Sequence, residues 1–296
     1  MINKLGWFGI LILIVGLSFF YQYPYLNKFP SHIHAWAQAD RYALSLGFVE
    51  NDLNFFKPQT FIYNKQFPHK YRVPSETTIS AVEFPIHDFI PAIFMQLCKN
   101  KSPLFFQLYV LLYSIIGLIF LSKLAYKVNG DCLKTTLVIV FATTSPVFVY
   151  YQGGFLPSIP SLSNAIIGIY YYYKFLNQDK DKDKDKHFWL SIIFMTIAVL
   201  SRTTFAIPLI AIFTVEILRI IRKDTKLKPK ILPIILSILL IFLFRIYNYH
   251  LREKYGSIFL SHLMPAENIM QFKELLFQTF QNWFFQYLTW PHYLIL

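Results

Sequence analysis

The residues of this chain that could carry chemistry gather in one stretch, residues 30 to 88. It opens with Pro30-Ser31-His32-Ile33-His34-Ala35-Trp36-Ala37-Gln38-Ala39-Asp40-Arg41-Tyr42 and closes with Val82-Glu83-Phe84-Pro85-Ile86-His87-Asp88. Lys57, Lys65, His69, Lys70 and Arg72 lie between these ends. Asp40 and Glu83 are the carboxylates of interest. An acceptor hydroxyl is a poor nucleophile until a positioned base takes its proton, and a carboxylate can be that base. Cations are the complementary groups, since they hold an anion by charge-assisted hydrogen bonds. The cations available are Arg41, Lys57, Arg72, Arg202 and Arg245. Arg202 stands out, since it lies between two apolar segments, where an unpaired cation is costly and functional by default.

Each residue also has a plainer reading. Asp40 and Arg41 could form an ordinary surface pair, worth about 0–1 kcal/mol. Arg202 could be a helix-end arginine snorkelling to headgroups. Lys57 and Arg72 could be ordinary loop charges. His32 and His34 could share a face of an extended segment and, with Asp40 or Glu83, hold a metal ion. A lone His-x-His is weak evidence, so metal dependence stays open. Cys98 and Cys132 show no metal or redox spacing.

The elements that must position these groups are apolar. Hydrophobic residues make up 55% of the 296, and charged residues only 15%, against about 25% in soluble domains. Apolar runs lie near 5–22, 86–98, 103–122, 133–151, 161–176, 188–200, 203–221, 231–247 and 283–296. The fold class expected is all-α: a polytopic transmembrane helical bundle with a long outer loop, about 23–102, carrying juxtamembrane helices. The 86–98 run is too short to cross, since thirteen or so helical residues rise only about 20 Å. The net charge of +12 sits at the ends of apolar runs. It therefore reads as membrane topology, and nucleic acid is not an expected partner.

With the N-terminus inside and 86–98 not crossing, Lys123, Lys127, Lys174, Arg219, Arg222 and the lysine-rich connectors all fall inside. The 23–102 loop, the 150–160 turn, the Arg202 turn and the 248–282 loop then share the outer side. The Asp179–Lys186 run reads as a solvated connector. The segment Trp36 to Phe48 reads as a short amphipathic helix closed by Gly47. The chain is expected to form a single domain over 1–296. Its apolar run starting near Trp283 leads to the expectation that a C-terminal part is missing.

A tryptophan followed by Gln-x-Asp in the first outer loop (Trp36, Gln38, Asp40) resembles the GT-C glycosyltransferases, which include the protein O-mannosyltransferases and the lipid A aminoarabinose transferases. Glu83-Phe84-Pro85, opening a juxtamembrane helix, resembles the second acidic signature of that family. The order of span, long outer loop, Glu-aromatic-Pro, helix and bundle is also similar. Pro157-Ser158 departs from it, because related enzymes often have Pro-Asp there.

The resemblance implies a polyprenyl-phosphate sugar as donor and a lipid, glycan or protein acceptor outside the membrane. It implies Asp40 as catalytic base and Glu83 as a second site carboxylate, with His34, Arg41, Lys57, Arg72 and Arg202 as the substrate-binding set. A divalent metal ion is a possible cofactor, as it occurs in some members only. Membrane lipids are the surrounding partners, and the location implied is the bacterial cytoplasmic (inner) membrane with the site facing outward. The rival readings are a transporter or flippase of lipid-linked sugars, which should show internal repeats and mid-membrane polar residues, and a non-catalytic membrane assembly protein.

Overall fold

The computed structural model describes residues 4–31, 34–177, 183–222, 231–260 and 266–295. The chain is a helical bundle in the order α1 (Lys4–Gln22), α2 (Ala35–Glu50), α3 (Ile86–Leu97), α4 (Pro103–Asn129), α5 (Cys132–Thr144), α6 (Pro146–Gln152), α7 (Ser158–Asn177), α8 (Lys184–Ser201), α9 (Ala206–Ile221), α10 (Ile231–Tyr255), α11 (Ile269–Tyr287) and α12 (Trp290–Ile295). Among the described residues, β-structure amounts to isolated bridges at Gln59–Ile79 and Pro68–Ser257.

Among the described residues, four segments are long and apolar enough to cross a membrane: Gly6–Tyr25, Pro103–Asn129, Thr203–Ile221 and Ile231–Tyr255. The pair α5 and α6 could supply a fifth crossing, bent by 68°. The bend falls at Ser145-Pro146, because Pro146 has no N–H to give to a continuing helix. The protein is a multi-pass integral membrane protein. The 161–176 and 188–200 runs lie within α7 and α8, which have the length but not the apolarity of the four.

Two sequence expectations are corrected. Run 283–296 is not one helix: α11 ends at Tyr287, Leu288 is extended, and α12 is a separate short turn of helix. Buried His292 docks α12 onto α5, accepting or donating to Thr144 at 3.0 Å and contacting the Phe141 carbonyl at 3.2 Å. Gly47 does not close α2, which continues to Glu50. Its glycine is required for a different reason: a Cβ there would come within 2.1 Å of the Gln59 carbonyl oxygen, so the loop packs on bare helix backbone. Residues 179–182 of the Asp-Lys run, and the lysines from 223 to 230, lie outside the described residues. Lys184 to Lys186 form the first turn of α8.

α3 has 12 residues and rises about 18 Å, too little for a span. It is a juxtamembrane helix, as is α2. The two pack through Leu44, Phe48 and Ala92, with Val82 of the preceding loop in the same cluster, and the Ser45 hydroxyl donates to the Asp88 carbonyl at 2.7 Å. A second cluster, including Tyr42, Met95, Phe106, Phe155 and Ile159, ties both helices to α4 and α7. The bundle itself is packed by Ala165, Phe175, Phe188, Met195 and Leu209 on α7 to α9, and by Ile14, Leu111, Leu118 and Ile139 on α1, α4 and α5.

The loop between α2 and α3 is pinned rather than free. The Asn248 amide of α10 donates to the Val82 carbonyl at 2.6 Å. Phe84 N–H donates to Leu200 O, at the end of α8, at 3.1 Å. His69 N–H and Ser75 N–H donate to the carbonyls of Gly256 and Tyr255 at 2.9 and 3.0 Å. The 23–102 loop, the 150–160 turn, Arg202 and the end of α10 thus meet at one end of the bundle.

Candidate active site

The centre of this end is a row of alternating charges. Arg41 of α2 ion-pairs with Glu83 and, at 3.2 Å, with Asp88 of α3. Arg202 reaches the same Glu83 oxygen at 3.1 Å. The side chains of Arg41 and Asp88 are 6% and 0% exposed, while Glu83 and Arg202, at 24% and 28%, border open space. Local structure makes this arrangement. Pro85 starts α3, placing Asp88 in its first turn, where the helix dipole favours a carboxylate. α8 ends at Ser201, so Arg202 sits in an extended break before Thr203 begins the turn into α9.

Burial sets the protonation preferences. It drives the Asp88 carboxyl up to about 6, although Arg41 opposes this. Burial alone would pull Arg41 down, but Asp88 and Glu83 outweigh it, and its net shift is upward. The Arg202 guanidinium is lowered, by burial first, with Glu83 opposing. His87, behind Asp88, is lowered to about 3 by burial and by Arg41, so it is neutral. Its ring bonds to Tyr109 at 2.7 Å.

Asp40, one residue from Arg41, does not join the charge row. Among the described residues, nothing hydrogen-bonds or ion-pairs with its carboxylate. The expected alternative, a surface Asp40–Arg41 pair, does not form, because Arg41 turns inward to Glu83 and Asp88. Half-burial raises the Asp40 carboxyl above its ordinary value, with Arg41 pulling the other way.

Asp40, Arg41, Glu83, Arg202, Arg245 and Arg252 all line one cavity of about 820 Å³, whose walls are otherwise mostly apolar; these charges distinguish it as the polar cavity. A second cavity, about 1140 Å³, is walled mostly by apolar side chains of α4 to α7 such as Leu118, Phe148 and Ile166. Trp36, Ala37, Leu156 and Arg202 border both. Gln38, of the Gln-x-Asp motif, is turned away from the polar cavity. It accepts from Phe155 N–H at 3.1 Å, and a Cβ on Gly154 would come within 2.6 Å of its oxygen. Gln38 therefore locks the 153–157 turn onto α2, and that turn places Leu156 at the junction.

The other expected residues are placed less centrally. His34 takes a left-handed backbone, with φ 55°, just before α2, and its ring stacks on Tyr151 and bonds its hydroxyl. It lines the apolar cavity. Lys57 is exposed and borders neither cavity. Arg72 is also outside both, and pairs with Glu253 at 2.6 Å. His32 lies outside the described residues. No group of three His, Cys, Asp or Glu side chains comes together among the described residues. Glu83 and Asp88 are paired with the Arg41 and Arg202 guanidinium groups. Sequence reasoning missed Asp88 and Arg252. The available signal for Asp88 was its place one turn into the helix opened by Pro85. For Arg252 it was the seven-residue spacing from Arg245, which puts both on one helix face.

No family model matches this sequence, and no curated protein does. Its fold matches the crystal structure of ArnT from Cupriavidus metallidurans in the apo state, with a TM-score of 0.57 and 12% identity. The match covers 93% of this chain and 49% of that one, so this chain spans about half the length of its neighbour. At that identity the likeness is one of fold. The chain has a helical membrane fold like that of ArnT.

Proposed function

We propose that this protein is a membrane glycosyltransferase that moves a sugar from a polyprenyl-phosphate donor to an acceptor, with Asp40 as general base. The observation that carries this reading is an unpartnered carboxylate, raised by burial, on the wall of a cavity that also holds several arginines and opens beside an apolar cavity. Acid, cation and apolar surface together suit a lipid phosphate sugar. The chain would lie in a bacterial cytoplasmic membrane with this end outward.

In the proposed step, the acceptor oxygen bonds to the anomeric carbon while Asp40 takes the hydroxyl proton. The bond from that carbon to the phosphate oxygen breaks, and its electron pair leaves with the lipid phosphate. An inverting displacement needs one base opposite the leaving group. Arg202 would meet the phosphate charge. Glu83, held between Arg41 and Arg202, would fix Arg202 rather than accept a proton. No role is assigned to a metal ion.

The test is turnover of a polyprenyl-phosphate sugar by purified protein in detergent, read as released polyprenyl phosphate. Release is expected. Movement of the intact lipid across proteoliposome membranes without release would contradict the reading and favour a flippase.

A further inference from the structure

One face of α10 has no part in the charge row. Arg245, Asn248, Tyr249 and Arg252 follow helical spacing and all border the polar cavity. Four arginines (41, 202, 245 and 252) and two carboxylates (40 and 83) line that cavity, an excess of positive charge that remains when Asp88, paired with Arg41, is counted with them. Arg41 and Arg202 are matched to Glu83 and Asp88. Neither Arg245 nor Arg252 has a carboxylate partner among the described residues. Arg252 lies over the Tyr249 ring at 5.4 Å, and its Nε is buried without a hydrogen-bond partner. The nearby acid on the same helix, Glu253, is taken by Arg72.

We propose that Arg245 and Arg252 form an anion subsite on α10, separate from Arg202, that takes a phosphate group of the ligand in the polar cavity. A neutral sugar has no use for two uncompensated guanidinium groups, whereas a phosphate accepts their planar, forked hydrogen bonds. The ring of Tyr249 holds the Arg252 guanidinium at the wall before any ligand arrives. Two sources have this chemistry: the phosphate of a polyprenyl lipid and a phosphate carried by a sugar. The inference rests on the transfer reading only in taking the phosphate to belong to a donor or acceptor. Binding is measured without turnover, so the two fail separately.

The experiment compares binding of undecaprenyl phosphate, glucose 1-phosphate and glucose to wild-type protein and to Arg245→Gln and Arg252→Gln in detergent at low salt. Melting temperature is recorded beside each titration. Loss of one charge-assisted contact should weaken binding of at least one phosphate ligand about ten-fold or more. Arg245→Lys and Arg252→Lys, which keep the charge, should recover part of that loss. A weaker lipid arm identifies the lipid phosphate as the source, and a weaker glucose 1-phosphate arm identifies a sugar phosphate. Wild-type affinity of both glutamine variants for both phosphates would overturn the proposal. So would wild-type protein that binds neither phosphate, or that binds glucose as well as glucose 1-phosphate.

Discussion

Three carboxylates close in space have three different environments. Asp40 is unpartnered, Glu83 is shared by two arginines, and Asp88 is sealed behind Arg41. Arg41 is the residue on which the other two depend. Replacing it by Met should cost about 3–5 kcal/mol, because it strands the buried Asp88 carboxylate. Thermal unfolding in detergent measures this, and a near-wild-type melting temperature would contradict it. Asp88 gives a pH test. Its folded value is raised from 3.8 to about 6, so the folded chain holds that proton more tightly than the unfolded chain. Its contribution to stability is therefore full below 3.8 and is lost as pH rises through about 6. Asp88→Asn lacks that titration. The melting temperature of wild type relative to the variant should fall across this window, and a constant offset would contradict the raised value. Asp40 and Glu83 could be singled out from their types and neighbours. The ion pairs around them could not, because Arg202 reaches Glu83, and Asp88 reaches Arg41, through folding at long range.

At the scale of elements, the juxtamembrane helices were legible and their ends were not. Pro85 and the short 86–98 run announced α3. Gly47 looked like a helix stop because glycine often is one. The competing reason, close approach of another backbone, has no local signature. Gly47→Ala should settle which reason holds. Alanine inside a helix is ordinarily favoured over glycine by about 1 kcal/mol. Here its Cβ meets the Gln59 carbonyl, and overpacking costs about 1–3 kcal/mol. The variant should melt lower than wild type. Gly9→Ala, where a Cβ meets nothing within 4 Å, should not. A higher melting temperature for Gly47→Ala would show that the loop does not press on α2. The bend between α5 and α6 was missed for a similar reason. Run 133–151 has no charged residue after Lys134, and only Pro146 marks the break.

At the scale of the molecule, hydropathy and charge together announced a membrane bundle, and hydropathy gave the α4, α9 and α10 crossings closely. α7 and α8 were harder, because tyrosine, serine and asparagine on α7 and the charged start of α8 dilute their apolarity. The convergence of the loop, the 150–160 turn and Arg202 at one end followed from the alternation of spans, so topology carried part of the site. Its sidedness rests on the positive-inside rule. Cysteine placed at Asn177 should be protected from impermeant reagents in intact cells, and cysteine at exposed Phe61 should react. The reverse pattern would put the cavities on the inner side.

The central claim is that Asp40 removes the acceptor proton. Asparagine keeps the size of the side chain but cannot take that proton. Turnover of a polyprenyl-phosphate sugar by Asp40→Asn, with melting temperature measured on the same sample, tests the claim most directly. The expected result is a loss of about 10²–10⁴-fold in rate with the melting temperature preserved. Near-wild-type turnover in the folded variant would contradict it.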